Sequence, residues 1–184
     1  MGGEDNQASP FVGEWIWKTI SILKVKCFLW QCYHNGIPVQ ATLAYRGMDI
    51  SPSCLICNDA PETIIHVLRD CPFAKWFWNS FPQPMQVSLF YGSRLADWMR
   101  LNCWSTKVSP CSGINWGVVF PFGIWGLWLY RNSVVFDRER PENDLKREVM
   151  AKATKFVFLR ANDRLGGHHT TIKINWHRPP WELG

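Results

Sequence analysis

Several patterns that would fix a function are missing from this chain of 184 residues. There is no His-Glu-x-x-His helix and no His-x-Glu pattern, so the metalloprotease and nucleobase-deaminase arrangements of a catalytic metal are excluded. Met1 to Pro10 is polar and acidic, unlike the basic and apolar start of a secretory signal, and Asn6 stands where N-myristoylation needs Ser or Thr. Ile114 to Tyr130 carries no charge, but its seventeen residues fall at the short end of what a bilayer requires. It also contains Gly117, Pro121, Gly123 and Gly126 and runs straight into Arg131. One buried core helix, or two helices meeting near Pro121, accounts for it better than a membrane span. The seven cysteines are an odd number without obvious pairing. That suits a reducing, intracellular compartment rather than a disulfide framework, with nucleus and cytoplasm undistinguished.

What is present begins with Cys54, Cys57, His66 and Cys71, spaced Cys-x2-Cys-x8-His-x4-Cys. Structural zinc takes four sulfur or nitrogen ligands in a tetrahedron, and a two-residue gap lets one tight turn present two sulfurs to the ion. The spacing therefore predicts one structural Zn2+ in a closed CCHC site, with no open position for a catalytic water. Two other readings fit the same residues: ordinary burial, since free cysteine is among the most buried residue types, and a degenerate site that has lost its metal. Taking three cysteines for zinc leaves Cys27, Cys32, Cys103 and Cys111. Cys27, Cys32 and His34 could imitate a thiol site, but they fall in an apolar helical pattern.

The residues between the ligand pairs predict how the second pair returns. Pro61 suits a first helical position and Glu62 puts an acid in the first turn, so His66 is expected on a short helix. On a continuing helix His66 and Cys71 would stand about 140° apart, since each residue turns about 100°. The helix must therefore break. Pro72 supplies the break, because it disfavours a helical Cys71 and suits the first turn of a new helix, Phe73 to Phe81. Cys71 then lies at a helix N-terminus, where unpaired N–H groups favour its thiolate.

Hydrophobic spacing predicts a mainly α fold, a small helical domain stapled by the metal, with little or no sheet. Phe11 to Leu23 reads as a first amphipathic element through Trp15, Ile16, Thr19, Ile20 and Leu23. Val25 to His34 follows with Val25, Phe28, Leu29 and Cys32 on one face, ended by Asn35-Gly36. Pro38 to about Arg46 forms a third helix, closed by Gly47. A Pro-rich joint, Phe81-Pro82-Gln83-Pro84, leads to helices near Ser93 to Asn102, along the apolar stretch up to Asp137, and over Glu142 to Asn162. In the last of these Leu145, Val149, Phe156 and Leu159 turn inward, and Gly166-Gly167-His168-His169 ends it, with the two histidines solvated. The expected units are a disordered tail at 1–10, a zinc-binding helical domain at 11–81, a helical extension at 82–162 and a poorly anchored stub at 163–184.

Twelve tryptophans are the compositional outlier. Trp15, Trp17, Trp30, Trp76, Trp78, Trp125 and Trp128 fall in apolar helical patterns, which favours core filling over a platform for stacked bases. Net charge is +5, yet between 51 and 80 only Arg69 and Lys75 oppose Asp59, Glu62 and Asp70. Zinc with three thiolates adds another formal negative charge, so the metal loop is slightly acidic and unlike the basic knuckles that grip phosphate. Most surplus positive charge lies in 142–184, interspersed with acids, a pattern that is more often a solvated helix face than a nucleic-acid patch.

Taken together, these segments carry a family resemblance. Trp17-Lys18-Thr19-Ile20, Leu23-Lys24-Val25-Lys26-Cys27-Phe28-Leu29-Trp30, His34-Asn35-Gly36-Ile37-Pro38 and Leu43-Ala44-Tyr45-Arg46-Gly47 run into Cys54-Leu55-Ile56-Cys57. Glu62-Thr63-Ile64-Ile65-His66-Val67-Leu68 and Cys71-Pro72-Phe73-Ala74 follow. The series resembles the reverse-transcriptase zinc-binding domain of plant non-LTR (LINE-type) retrotransposons. Trp125-Gly126-Leu127-Trp128, Arg131-Asn132 and Val135-Phe136 are similar to the helical segment that follows it there, so the resemblance spans roughly residues 11 to 138.

In that family the domain lies between a reverse transcriptase and, in many members, a ribonuclease H-like domain, whose entry Trp176-His177-Arg178-Pro179-Pro180-Trp181 resembles. The resemblance implies a fragment or relic of such an element, expressed from its own Met1 and ending before that domain's acidic residues. No Tyr-x-Asp-Asp motif is present and no paired carboxylates stand ready to hold two metals, so neither polymerase nor ribonuclease activity is expected. The leading expectation is a non-catalytic zinc module that helps a reverse transcriptase hold RNA or DNA, with Lys24, Lys26 and Arg46 as candidate phosphate contacts. The rival is a zinc-stabilised protein-interaction module with a Trp-rich surface, which the acidic metal loop favours. Neither involves a membrane or a small-molecule substrate.

Overall fold

The computed structural model describes residues 13–82, 85–109, 112–138 and 144–165. The expected tail at 1–10, the stub beyond 165 with Gly166 to His169, Gln83-Pro84 of the Pro-rich joint, and Cys111 lie outside the described residues.

The described elements are helical: α1 (Glu14–Lys18), α2 (Leu23–Tyr33), α3 (Gln40–Tyr45), a π-helical turn (His66–Asp70), α4 (Pro72–Asn79), α5 (Val87–Gly92), α6 (Leu95–Cys103), α7 (Trp116–Val135) and α8 (Leu145–Leu165). Among the described residues extended pairing is confined to two isolated bridges, Ser53 with Pro61 and Val108 with Asn115. The mainly α expectation therefore holds.

The first amphipathic element is shorter than its spacing suggests. Helix α1 stops at Thr19, whose backbone turns extended (ψ 140°) and whose hydroxyl donates back to the Trp15 carbonyl at 3.3 Å. Ile16 and Thr19 are buried, while Ile20 and Leu23 face solvent. Helix α2 follows its pattern closely, burying Val25, Phe28, Leu29 and Cys32. It ends where Asn35 takes a left-handed φ of 54° and the Gly36 N–H returns to the Gln31 carbonyl at 2.7 Å.

Helix α7 is the axis of the fold. Every residue from Trp116 to Ile124 is buried, and α2, α6, α8 and the π turn all pack on it. Of the two arrangements the apolar stretch allowed, one buried helix is the one found, and it runs through Pro121 without a joint. Pro121 sits in the second turn, where its missing N–H removes a single ladder bond. Enclosure by neighbours on several sides outweighs that loss. Among the described residues no helix is long and apolar enough to cross a membrane.

The tryptophans divide differently from their expected core role. Trp78, Trp98, Trp116 and Trp128 are buried, whereas Trp17, Trp30, Trp76 and Trp104 are substantially exposed. Trp78 is the hub: it stacks on Phe120 at 5.2 Å and meets Trp98, Trp116 and Phe90 edge-on at 6.0, 5.8 and 5.7 Å. Helix α8 buries Leu145 and Val149 and sets Phe156 against Phe122 at 5.7 Å. Leu159, expected inward, is half exposed.

Gly123 is where the hub meets the axis: a Cβ there would lie 2.6 Å from Trp78 Cη2 and 3.0 Å from Cζ3. Alanine would raise helix propensity by up to about 1 kcal/mol, but the enclosed indole has nowhere to move, and overpacking costs about 1–3 kcal/mol. Gly123→Ala is therefore expected to lower the denaturant midpoint, whereas an equal or higher midpoint would show that the indole can shift freely.

Candidate metal centre

The first two ligands come from a closed loop. The Cys54 N–H donates to the Ala60 carbonyl at 2.9 Å, and the Cys54 carbonyl accepts from the Asn58 N–H at 2.8 Å. Asn58 makes the turn in a left-handed conformation (φ 55°), which asparagine tolerates better than most residues. The Ser53–Pro61 bridge joins the loop's two ends.

Pro61 is therefore in that bridge, not at the first position of a helix as its sequence suggests. The helical segment starts at Ile64, and Thr63 serves the opening turn instead, its hydroxyl accepting the His66 N–H at 3.2 Å. Nor is Glu62 an acid of the first turn, because it precedes the helix and its side chain is wholly buried.

His66 and Cys71 converge by two devices. One is the expected break: Cys71 leaves the helical region (φ −55°, ψ 138°) and Pro72 occupies the first turn of α4. The other was not expected. His66–Asp70 forms a π turn, closed by the Cys71 N–H donating to the His66 carbonyl at 2.7 Å. A π turn bonds residues five apart, so it draws together two positions that an α-helix would leave on different faces.

The ligand atoms of Cys54, Cys57, His66 and Cys71 all lie within 4.8 Å of one another, and Cys57 Sγ is 3.3 Å from His66 Nε2. A tetrahedral zinc with Zn–S of ~2.3 Å holds its sulfurs ~3.8 Å apart, so the donors need to close by only about 1 Å. Cys54, Cys71 and His66 are buried and Cys57 is half-buried. Without a metal, a hydrogen bond from the Cys71 thiol, assisted by the Cys57 and Ile56 N–H groups, pulls the Cys54 thiol down to about 4. The same bond and burial hold Cys71 well above the usual thiol range. The pair thus shares a proton that a cation would displace. These donors fit one zinc ion, which would supply a cross-link between the loop and the π turn.

Three contacts bind this loop to the body. Glu62, wholly buried, accepts from Arg131 of α7 through Nη2 at 2.5 Å and Nε at 3.3 Å, and from the Gln40 N–H at 2.8 Å. Arg69 of the π turn pairs with Asp70 at 2.7 Å, donates to the Ser93 carbonyl at 2.5 Å and lies 5.7 Å over the Trp98 ring. Trp78 Nε1 donates to the Leu68 carbonyl at 2.8 Å. Sequence reading missed Arg131, because a cation directly after an uncharged run reads equally as an exposed helix end, and its partner Glu62 stands 69 residues away. The contacts also revise the loop's charge. Glu62 and Asp70 are each matched by an arginine, which leaves Asp59 as the exposed acid.

The candidate phosphate contacts do not meet at the metal. Lys24 sits 5.2 Å over the Trp125 ring, Lys26 Nζ donates to the Trp17 carbonyl at 2.7 Å, and Arg46 is exposed at the end of α3.

Purified protein is expected to carry one zinc per chain, and Cys57→Ser to lose it together with helical circular dichroism, as metal affinity is folding energy in such modules. Zinc retained in full by the variant would overturn the ligand set. Arg131→Met strands the Glu62 carboxylate and is expected to cost about 3–5 kcal/mol in chemical unfolding of the zinc-loaded protein.

Comparison with known proteins agrees with this centre. Residues 4–78 match the family described as zinc-binding in reverse transcriptase. An Arabidopsis thaliana protein, provisionally named a ribonuclease H protein, is 31% identical over 132 residues, which is 71% of this chain and 20% of that protein. No solved structure matches the chain. With its four-residue metal cluster inside the matched segment, the chain carries a zinc-binding domain of the reverse-transcriptase type over residues 4–78.

Proposed function

We propose that this chain is a zinc-stapled helical module that helps a reverse-transcriptase-type protein hold RNA or DNA, and that it has no catalytic activity of its own. The observation that carries the reading is the convergence of four protein donors in a largely buried cluster tied to the core. Four ligands leave no coordination position for an activated water, so the metal contributes shape rather than chemistry. The relative's name, a ribonuclease H protein, and the net charge of +5 support nucleic acid as the partner. Lys24 and Arg46 are exposed on the helices that lead into the metal loop, with Lys26 half-buried beside them.

A second reading, a protein-interaction module, is favoured by Trp76 and Trp104, which are 52% and 53% exposed. The acidity of the metal loop supports it less than the sequence suggests, because two of the three acids are paired with arginine.

Salt separates the two. Three phosphate contacts on a single strand give a slope of log affinity against log salt of about −2, a loss of roughly tenfold or more between 50 and 200 mM. Filter binding with RNA and DNA is expected to show that slope. Binding that does not change with salt would remove the nucleic-acid reading.

A further inference from the structure

A groove of about 580 Å³ opens between the end of α2, helix α3 and the segment that enters the π turn, with His34, Asn35, Thr42, Tyr45, Arg46 and Thr63 along it. Tyr45 is 92% exposed. Burial gains nothing from an aromatic ring held in that way, and the next residue, Arg46, is an exposed cation. Among the described residues no carboxylate lines the groove, while the Asn35 amide and the Thr42 and Thr63 hydroxyls supply neutral donors and acceptors. Ala41 and Ile64 add apolar surface to its lining.

We infer that this groove binds an unpaired stretch of nucleic acid, one base stacking on Tyr45 and its phosphate meeting Arg46. The inference rests on the proposed function and gives it a place. An aromatic face beside a cation is what a flexible single strand offers contacts to, because every base has a π face and every linkage a charge. The volume suits one or two nucleotides and is in the range of small-ligand sites. A duplex does not present its bases to a groove of this size, since they remain stacked inside it. Thr63 and Ile64 also line the groove three and two residues ahead of the ligand His66, so bound zinc would fix one wall of it. The metal would thus shape the nucleic-acid site without touching the strand.

Fluorescence anisotropy of the zinc-loaded full chain with labelled oligo(U) and oligo(dT) of about ten nucleotides tests this. Tyr45→Ala is expected to weaken binding by about tenfold or more, and Tyr45→Phe to retain it. Arg46→Gln is expected to reduce the salt slope by about one. A blunt duplex of the same length is expected to bind more weakly and to be indifferent to Tyr45→Ala. Tyr45 is almost fully exposed, so zinc content and circular dichroism of its variants serve as the control for folding. Wild-type affinity in both Tyr45→Ala and Arg46→Gln, with binding still salt-dependent, overturns the groove and leaves the proposed function standing. No salt-dependent binding by the wild type overturns both. Uridine monophosphate competing as well as the oligonucleotide, nucleotide for nucleotide, overturns the strand as ligand.

Discussion

A carboxylate with no solvent exposure holds this fold in register. Glu62 meets Arg131 from 69 residues away and also caps the first N–H of α3. Removing both charges from water costs several kcal/mol per ion, so such a pair adds little net stability over an apolar contact. What it adds is a common meeting point: α3 and the outer turns of α7 each place a polar group on one carboxylate, carried by the metal loop. A metal loop alone is a small excursion of chain, whereas a metal loop keyed to the central helix is part of the body.

The pair works alongside contacts that pass through the π turn. Arg69 reaches the backbone at Ser93, and the Leu68 carbonyl is taken by Trp78. Trp78 in turn lies against Gly123 and Phe120 of α7. The segment between two metal ligands is therefore also the segment on which the aromatic core rests, and the metal and the core constrain the same few backbone atoms.

Features that depend on neighbours in sequence were legible in the sequence. The four donors, the buried face of α2 and the departure of Cys71 from helical geometry each follow from spacing or from one proline. Features set by distant partners were not. Trp76 and Trp78 belong to the same short apolar helix, and it is the aromatic partners and the glycine that distant elements bring to Trp78 that enclose it while Trp76 stays exposed. Pro121 leaves one helix and two equally open until the enclosure of α7 is known. The π turn depends on a tryptophan N–H and on carbonyls far along the chain, so no local pattern announces it. Counting charges misled for the same reason, because a count takes no account of which acids are buried against arginine.

The π turn also sets how this site can change in length. Removing one residue between His66 and Cys71 would restore α geometry and swing the last sulfur by about 100°, away from the other donors. The stretch between Cys57 and His66 instead passes through exposed Asp59, beyond the Asn58 turn that holds Cys54, where an inserted residue would bulge toward solvent and leave the π turn unchanged. Among diverging copies of such a domain the final ligand spacing would stay fixed while the middle one drifts.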